Sequence, residues 1–106
     1  MANPVRWTPE ALRTYVAIVR YLRRYWTQRE VDRFDKEVDA VLAVIATFPK
    51  GFRRGVRDDI REAVIKPCNL LIYRVRKDHV ELLTFWDTRR DPRTKPRFAV
   101  RPRKHR

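Results

Sequence analysis

The spacing of apolar and polar positions divides the chain into two helices followed by three consecutive strands. Leu12, Tyr15, Val16, Val19, Leu22 and Trp26 recur every three or four residues, which is one face of a helix. Arg13, Arg20, Arg23 and Arg24 lie on its other side and read as a solvated face. Thr8-Pro9-Glu10 opens this helix with a hydroxyl cap, a proline where no backbone donor is needed, and an acid beside the positive helix end. Thr27-x-x-Glu30 is a capping box for the second helix. Its stripe runs through Val31, Phe34, Val38, Val41, Leu42, Ile45 and Phe48 until Pro49 and Gly51 end it. With almost no loop between them, the two helices form an antiparallel hairpin. Ahead of them, Val5 and Trp7 alternate with Arg6 over Pro4–Thr8, a brief edge strand.

From Ile60 the pattern changes to strand-length apolar runs. Ile60–Ile65 breaks at Lys66-Pro67, since proline cannot donate to a sheet ladder. Asn69–Arg76 and His79–Trp86 flank Lys77-Asp78, which suits the tip of a tight hairpin. With that tip, Val75 meets Val80, Arg74 meets Glu81 and Tyr73 meets Leu82. One hairpin face then carries Leu71, Tyr73, Val75, Val80 and Leu82. The other carries Leu70, Ile72, Leu83 and Phe85, with Arg74–Glu81 at its rim. Both faces are apolar and both need cover. The helices cover the first. The second is left open as a partner surface, rimmed by arginine.

The element order is β-α-α-β-β-β, an α+β fold with a two-helix antiparallel hairpin on one face of an antiparallel sheet. Lys50–Asp59 reads as a basic loop with Phe52 as its anchor. The domain spans residues 1–92. Residues 93–106 read as a basic tail, extended or disordered, in which Pro96–Val100 has the pattern of a short docked strand.

Charge narrows the partners. The chain of 106 residues holds 26 basic and 13 acidic residues, a net charge of +13. Residues 88–106 contribute nine of the basic residues and a single acid, whereas residues 28–48 are net acidic. Such an excess favours nucleic acid, a ribonucleoprotein or an acidic protein. No apolar run approaches the ~20 residues of a membrane span. Cys68, alone, cannot form an internal disulfide, so a reducing cytoplasmic location is expected.

The order of elements, together with WTPEA near the start, FP after the second helix, IREAVI, NLLIYRV and VELLTFWDTRRDP, resembles the RelE/ParE superfamily of toxins from type II toxin–antitoxin modules, the plasmid-stabilisation type. The resemblance spans Val5 to Pro92. It implies a small basic toxin, without cofactor, neutralised by a co-expressed antitoxin whose acidic segment wraps it, with a heterotetramer as one assembly. A toxin homodimer is the other assembly it allows. RelE-like members cleave mRNA on the ribosome and are enzymes. ParE-like members act on DNA gyrase.

RelE-like cleavage is metal-independent: a 2′-OH attacks, and clustered basic side chains stabilise the phosphorane, a task suited to the bidentate guanidinium. The resemblance places Arg61 and Arg90 in that cluster, but puts Ala63 and Leu70 at two other basic positions. The incomplete cluster favours the gyrase-directed branch, with the endonuclease as alternative and a small nucleic-acid-binding module as third reading. Expected target contacts are Arg89, Arg90 and Arg93. Expected antitoxin contacts are Leu70, Ile72, Leu83, Phe85 and Arg74. Tyr73 reads as core, His79 as a turn residue, and Asp87 and Asp91 as acids that orient the arginines. No metal-site pattern is present, and the two glycines, Gly51 and Gly55, form no phosphate-binding loop.

Overall fold

The computed structural model describes residues 2–96. Most of the expected tail, including the short strand expected at Pro96–Val100, lies outside the described residues.

Strand β1 (Val5–Trp7) leads into helix α1 (Pro9–Tyr25), which Thr8 caps by accepting the Ala11 N–H. Helix α2 (Gln28–Thr47) begins at the Thr27–Glu30 capping box. Then come β2 (Arg53–Arg54), β3 (Ile60–Ile65), β4 (Asn69–Val75) and β5 (Val80–Asp87), and a single 3-10 turn at Pro92–Thr94. The strands form one sheet in the order β1-β5-β4-β3-β2. β1 runs parallel to β5, so the sheet is mixed rather than wholly antiparallel. The return through two helices is what lets β1 and β5 run the same way.

Strand β2 was not legible as a strand: Arg53 and Arg54 carry no apolar pattern, yet they pair with Glu62 and Arg61 of β3. Gly55 permits this closure, because a Cβ there would stand 2.8 Å from the Ile60 methyl. Phe52 anchors the loop as expected, edge-on to the Tyr73 ring at 6.4 Å between centroids.

The β4–β5 hairpin keeps the expected register near its tip, with Val75–Val80, Arg74–Glu81 and Tyr73–Leu82 opposed. Beyond Tyr73 it slips by one residue, and Ile72 faces Thr84 instead of Leu83. This bulge reverses the face of every later β5 residue. Phe85 therefore joins Phe34, Leu71, Tyr73 and Leu82 in the core beneath the helices, and Trp86 takes its place on the outer face.

A second correction concerns that outer face. Ile60, Leu70, Ile72, Leu83 and Trp86 cluster there as expected of a second apolar layer, but they are buried, with exposures of 1–7%. The face is closed, not open. Trp26 and Phe48, counted in the helix stripes, are instead 57% and 65% exposed. Each is the C-cap of its helix, with φ near −132°, so its side chain leaves the stripe.

Candidate functional site

The sheet end formed by the β3–β4 turn and the C-terminus of β5 gathers the chain's accessible chemistry. Thr88 ties the two together, its N–H and its hydroxyl both donating to the Cys68 carbonyl, at 2.8 and 3.0 Å. Asp87 then holds Arg89: one carboxylate oxygen accepts the Arg89 N–H at 2.8 Å and its Nε at 3.1 Å, the other accepts Nη2 at 2.9 Å. Asp91 holds Arg93 in the same way, through the backbone N–H at 3.0 Å and Nη2 at 2.9 Å. Between them, the Arg90 guanidinium lies 5.4 Å above the Trp86 ring, a cation–π contact.

These carboxylates orient their arginines. The hydrogen bond from Arg89 is the main cause holding the Asp87 carboxyl below the usual range, and Arg93 does the same for Asp91. In return Asp87 keeps the Arg89 guanidinium firmly protonated. Arg89 and Arg93 are 64% and 90% exposed, so their planar forks are presented outward in fixed directions.

Beside this segment an open groove of about 670 Å³ runs between α1, the start of α2 and the β3–β4 turn. Ile18, Leu22, Phe34 and Phe85 supply its apolar lining. Tyr21 and Trp26 stand exposed at its edge, and Lys66, Arg89 and Arg90 bring positive charge to its rim. Phe85 is the one residue of the expected antitoxin set that lines it. Leu70, Ile72 and Leu83 lie on the opposite side of the sheet. Arg74 is on that side as well, its Nε 3.8 Å from Asp59.

Arg61 is elsewhere. It pairs with Tyr73, and Tyr73 with Leu82, while Asp87 at the arginine end aligns with Asn69 and Ile65. Arg61 is thus four residues along β3 from the site end, roughly 13 Å at strand rise. Its guanidinium, only 12% exposed, donates to the carbonyls of Asp58, Lys50 and Phe52 at 3.0–3.1 Å and pairs with Asp58 at 2.9 Å. It closes the loop before β3. The structure does not bring Arg61 and Arg90 into one cluster. Neither Tyr73 nor His79 stands at the arginine end: the Tyr73 hydroxyl is buried and donates to the Pro49 carbonyl, and His79 sits at the hairpin tip against Asp78. Burial also pushes the Tyr73 hydroxyl's pKa up, away from any acid–base role near neutrality.

Residues 5–92 match the family described as the ParE toxin of the type II toxin–antitoxin system, parDE. The chain belongs to this ParE toxin family. Its place in the wider RelE/ParE superfamily agrees with solved structures of the same fold. The chromosomal ParDE system from P. aeruginosa superposes with a TM-score of 0.68 at 12% identity, covering 81% of this chain and 96% of that one. The YoeB dimer from Staphylococcus aureus gives 0.57 at 14% identity, covering 81% and 97%. The E. coli DinJ-YafQ toxin-antitoxin complex gives 0.54 at 9% identity, covering 82% and 93%. No curated protein matches the sequence. As a ParE-family member the chain is the toxin of a type II toxin–antitoxin system. Among its described residues no helix is long and apolar enough to cross a membrane, and no group of His, Cys, Asp and Glu is placed to hold a metal ion.

Two features of this ParE-family site were missed in the sequence. The aromatic edge of the groove was hidden because Trp26 falls in phase with the helix stripe. Glu62 and Lys95, 33 residues apart, form an ion pair at 2.7 Å that no local pattern announces.

Proposed function

We propose that this toxin arrests growth by binding DNA gyrase in the cytoplasm, and that a cognate antitoxin neutralises it by filling the groove. The observation that carries the target is the position of Arg61. A ribosome-dependent nuclease needs several cations converging on one phosphate, with an acid–base group in reach. Here Arg61 is committed to loop carbonyls at one end of β3, whereas Arg89 and Arg90 project from the other end of the sheet and Arg93 follows them on the next turn. Three outward forks held by acids and an indole suit binding without bond cleavage.

The groove suits an antitoxin segment that combines aliphatic anchors with Asp and Glu: the anchors meet Ile18, Leu22 and Phe85, and the acids meet Lys66, Arg89 and Arg90. One segment would then cover the target-binding arginines while it fills the apolar lining. That is how binding would also neutralise.

The test uses toxin stripped of its antitoxin. It is added in parallel to a gyrase supercoiling reaction and to ribosomes programmed with mRNA. Inhibited supercoiling with intact mRNA is expected. Cleavage of ribosome-bound mRNA would replace this reading with the endonuclease. Tight DNA binding with gyrase and ribosome unaffected would replace it with the nucleic-acid-binding module.

A further inference from the structure

The outer face of the sheet holds a carboxylate that neither the family assignment nor the groove explains. Glu62 faces Ile72 across β3 and β4, beside the cluster of Ile60, Leu70, Ile72, Leu83 and Trp86, and is 8% exposed. Two cations from separate parts of the chain reach it: Arg53 from β2 on one oxygen, and Lys95, after the Pro92–Thr94 turn, on the other at 2.7 Å. A carboxylate this buried is costly unless it is paired, and here the pair is supplied by chain far away in sequence.

Lys95 leaves the segment that contains the site arginines. That segment departs from β5 at Asp87, passes Arg90 over Trp86, turns through Pro92–Thr94, and reaches Glu62 on β3. Since β4 lies between β5 and β3, residues 90–95 cross the outer face and are pinned at both edges, to an indole on β5 and to a carboxylate on β3. The Arg90–Trp86 contact and the Glu62–Lys95 pair together tether the turn carrying Arg93.

We propose that Glu62 is a positioning residue for the toxin's target contacts: through Lys95 it holds residues 90–95 as a strap, and so fixes where Arg90 and Arg93 point. This rests on the reading of Arg89, Arg90 and Arg93 as the target-binding group, though not on which target they meet. Arg53 keeps Glu62 neutralised when Lys95 is lost, so the sheet stays folded while the strap lifts. Preorganising a flexible segment in its bound geometry raises affinity by reducing the ordering cost of binding.

The test compares Lys95→Ala, Lys95→Arg and Glu62→Gln in the full-length toxin. Lys95 is part-exposed and lies outside the sheet core, so its variants keep the fold even if Glu62→Gln does not. Two readouts are taken. The first is the rate at which trypsin produces the fragment ending at Arg93, followed by mass spectrometry. Lys95→Ala should raise it about tenfold, the change in open population expected when one charge-assisted hydrogen bond is lost. Lys95→Arg should restore the slow rate. The second is growth inhibition in cells at matched toxin levels, which needs no assumption about the target. Lys95→Ala should need several-fold more toxin for the same arrest, and Lys95→Arg should not. An unchanged cleavage rate in Lys95→Ala would show that no strap exists. Faster cleavage with undiminished growth inhibition would show a strap without a positioning role. A wild-type toxin that arrests growth yet leaves gyrase untouched would overturn the proposed target alone, and both strap readouts would still apply.

Discussion

The hydroxyl of Thr14 on α1 accepts the backbone N–H of Phe85 on β5 at 2.9 Å. β1 ends at Trp7, so beyond Leu82 the outer edge of β5 has no strand partner among the described residues. The cap and a side chain of the first helix replace it: the cap residue Thr8 donates to the Leu82 carbonyl at 2.6 Å, and Thr14 meets Phe85 just past the bulge. The contact fixes the stretch of β5 that turns Phe85 inward. Thr14→Val keeps the shape and removes the acceptor, leaving a part-buried N–H without its partner. A loss of about 1–3 kcal/mol is expected. It should appear as a lower denaturant midpoint with an unchanged slope.

Arg61 and Arg90 should separate cleanly by mutation. Arg61→Ala strips three loop carbonyls and Asp58 of their donor, and should cost about 2–4 kcal/mol of stability. The Arg89→Ala/Arg90→Ala double variant removes only exposed groups. It should melt within a few degrees of wild type while losing growth inhibition. Full toxicity in that double variant, at wild-type abundance, would remove the arginine segment as the target site.

Tyr73→Phe tests whether the buried hydroxyl is chemistry or architecture. It deletes the donor to the Pro49 carbonyl and keeps the ring against Phe52. Stability should fall by about 1 kcal/mol, read by thermal or denaturant unfolding, and toxicity should persist at matched levels. A folded but inert Tyr73→Phe protein would revive the nuclease reading.

Glu62 gives the stability a definite pH dependence. Burial opposes its ionisation, but hydrogen bonds from Lys95 and Arg53 outweigh burial and hold the carboxyl below its ordinary 4.5. Its folded pKa is thus depressed relative to the unfolded chain. The stabilisation is complete above about pH 4.5 and is lost as pH falls through the folded value. Unfolding followed from pH 7 to pH 3 should show a step that Glu62→Gln lacks. An identical acid limb in both proteins would mean that the ion pair is not maintained in solution.

Local chemistry alone determined much of this toxin. Thr8 and the Thr27–Glu30 box mark helix starts because caps act within one turn, and the Arg74–Glu81 pairing follows from a two-residue tip beside it. The family was legible for the same reason, since its features are the order and spacing of such elements. Tertiary structure decided what depends on neighbours distant in sequence. Whether Phe85 or Trp86 faces the helices turns on a bulge that Thr14, 71 residues away, helps to hold. Whether Arg61 is a catalytic group or a loop clasp depends on where the carbonyls of Lys50 and Phe52 come to rest. Whether residues 92–95 float or cross the sheet depends on Glu62, a carboxylate whose burial costs free energy until a cation from another part of the chain arrives. Periodicity records the demand for burial within an element, and the partner that meets it is chosen only when the elements pack.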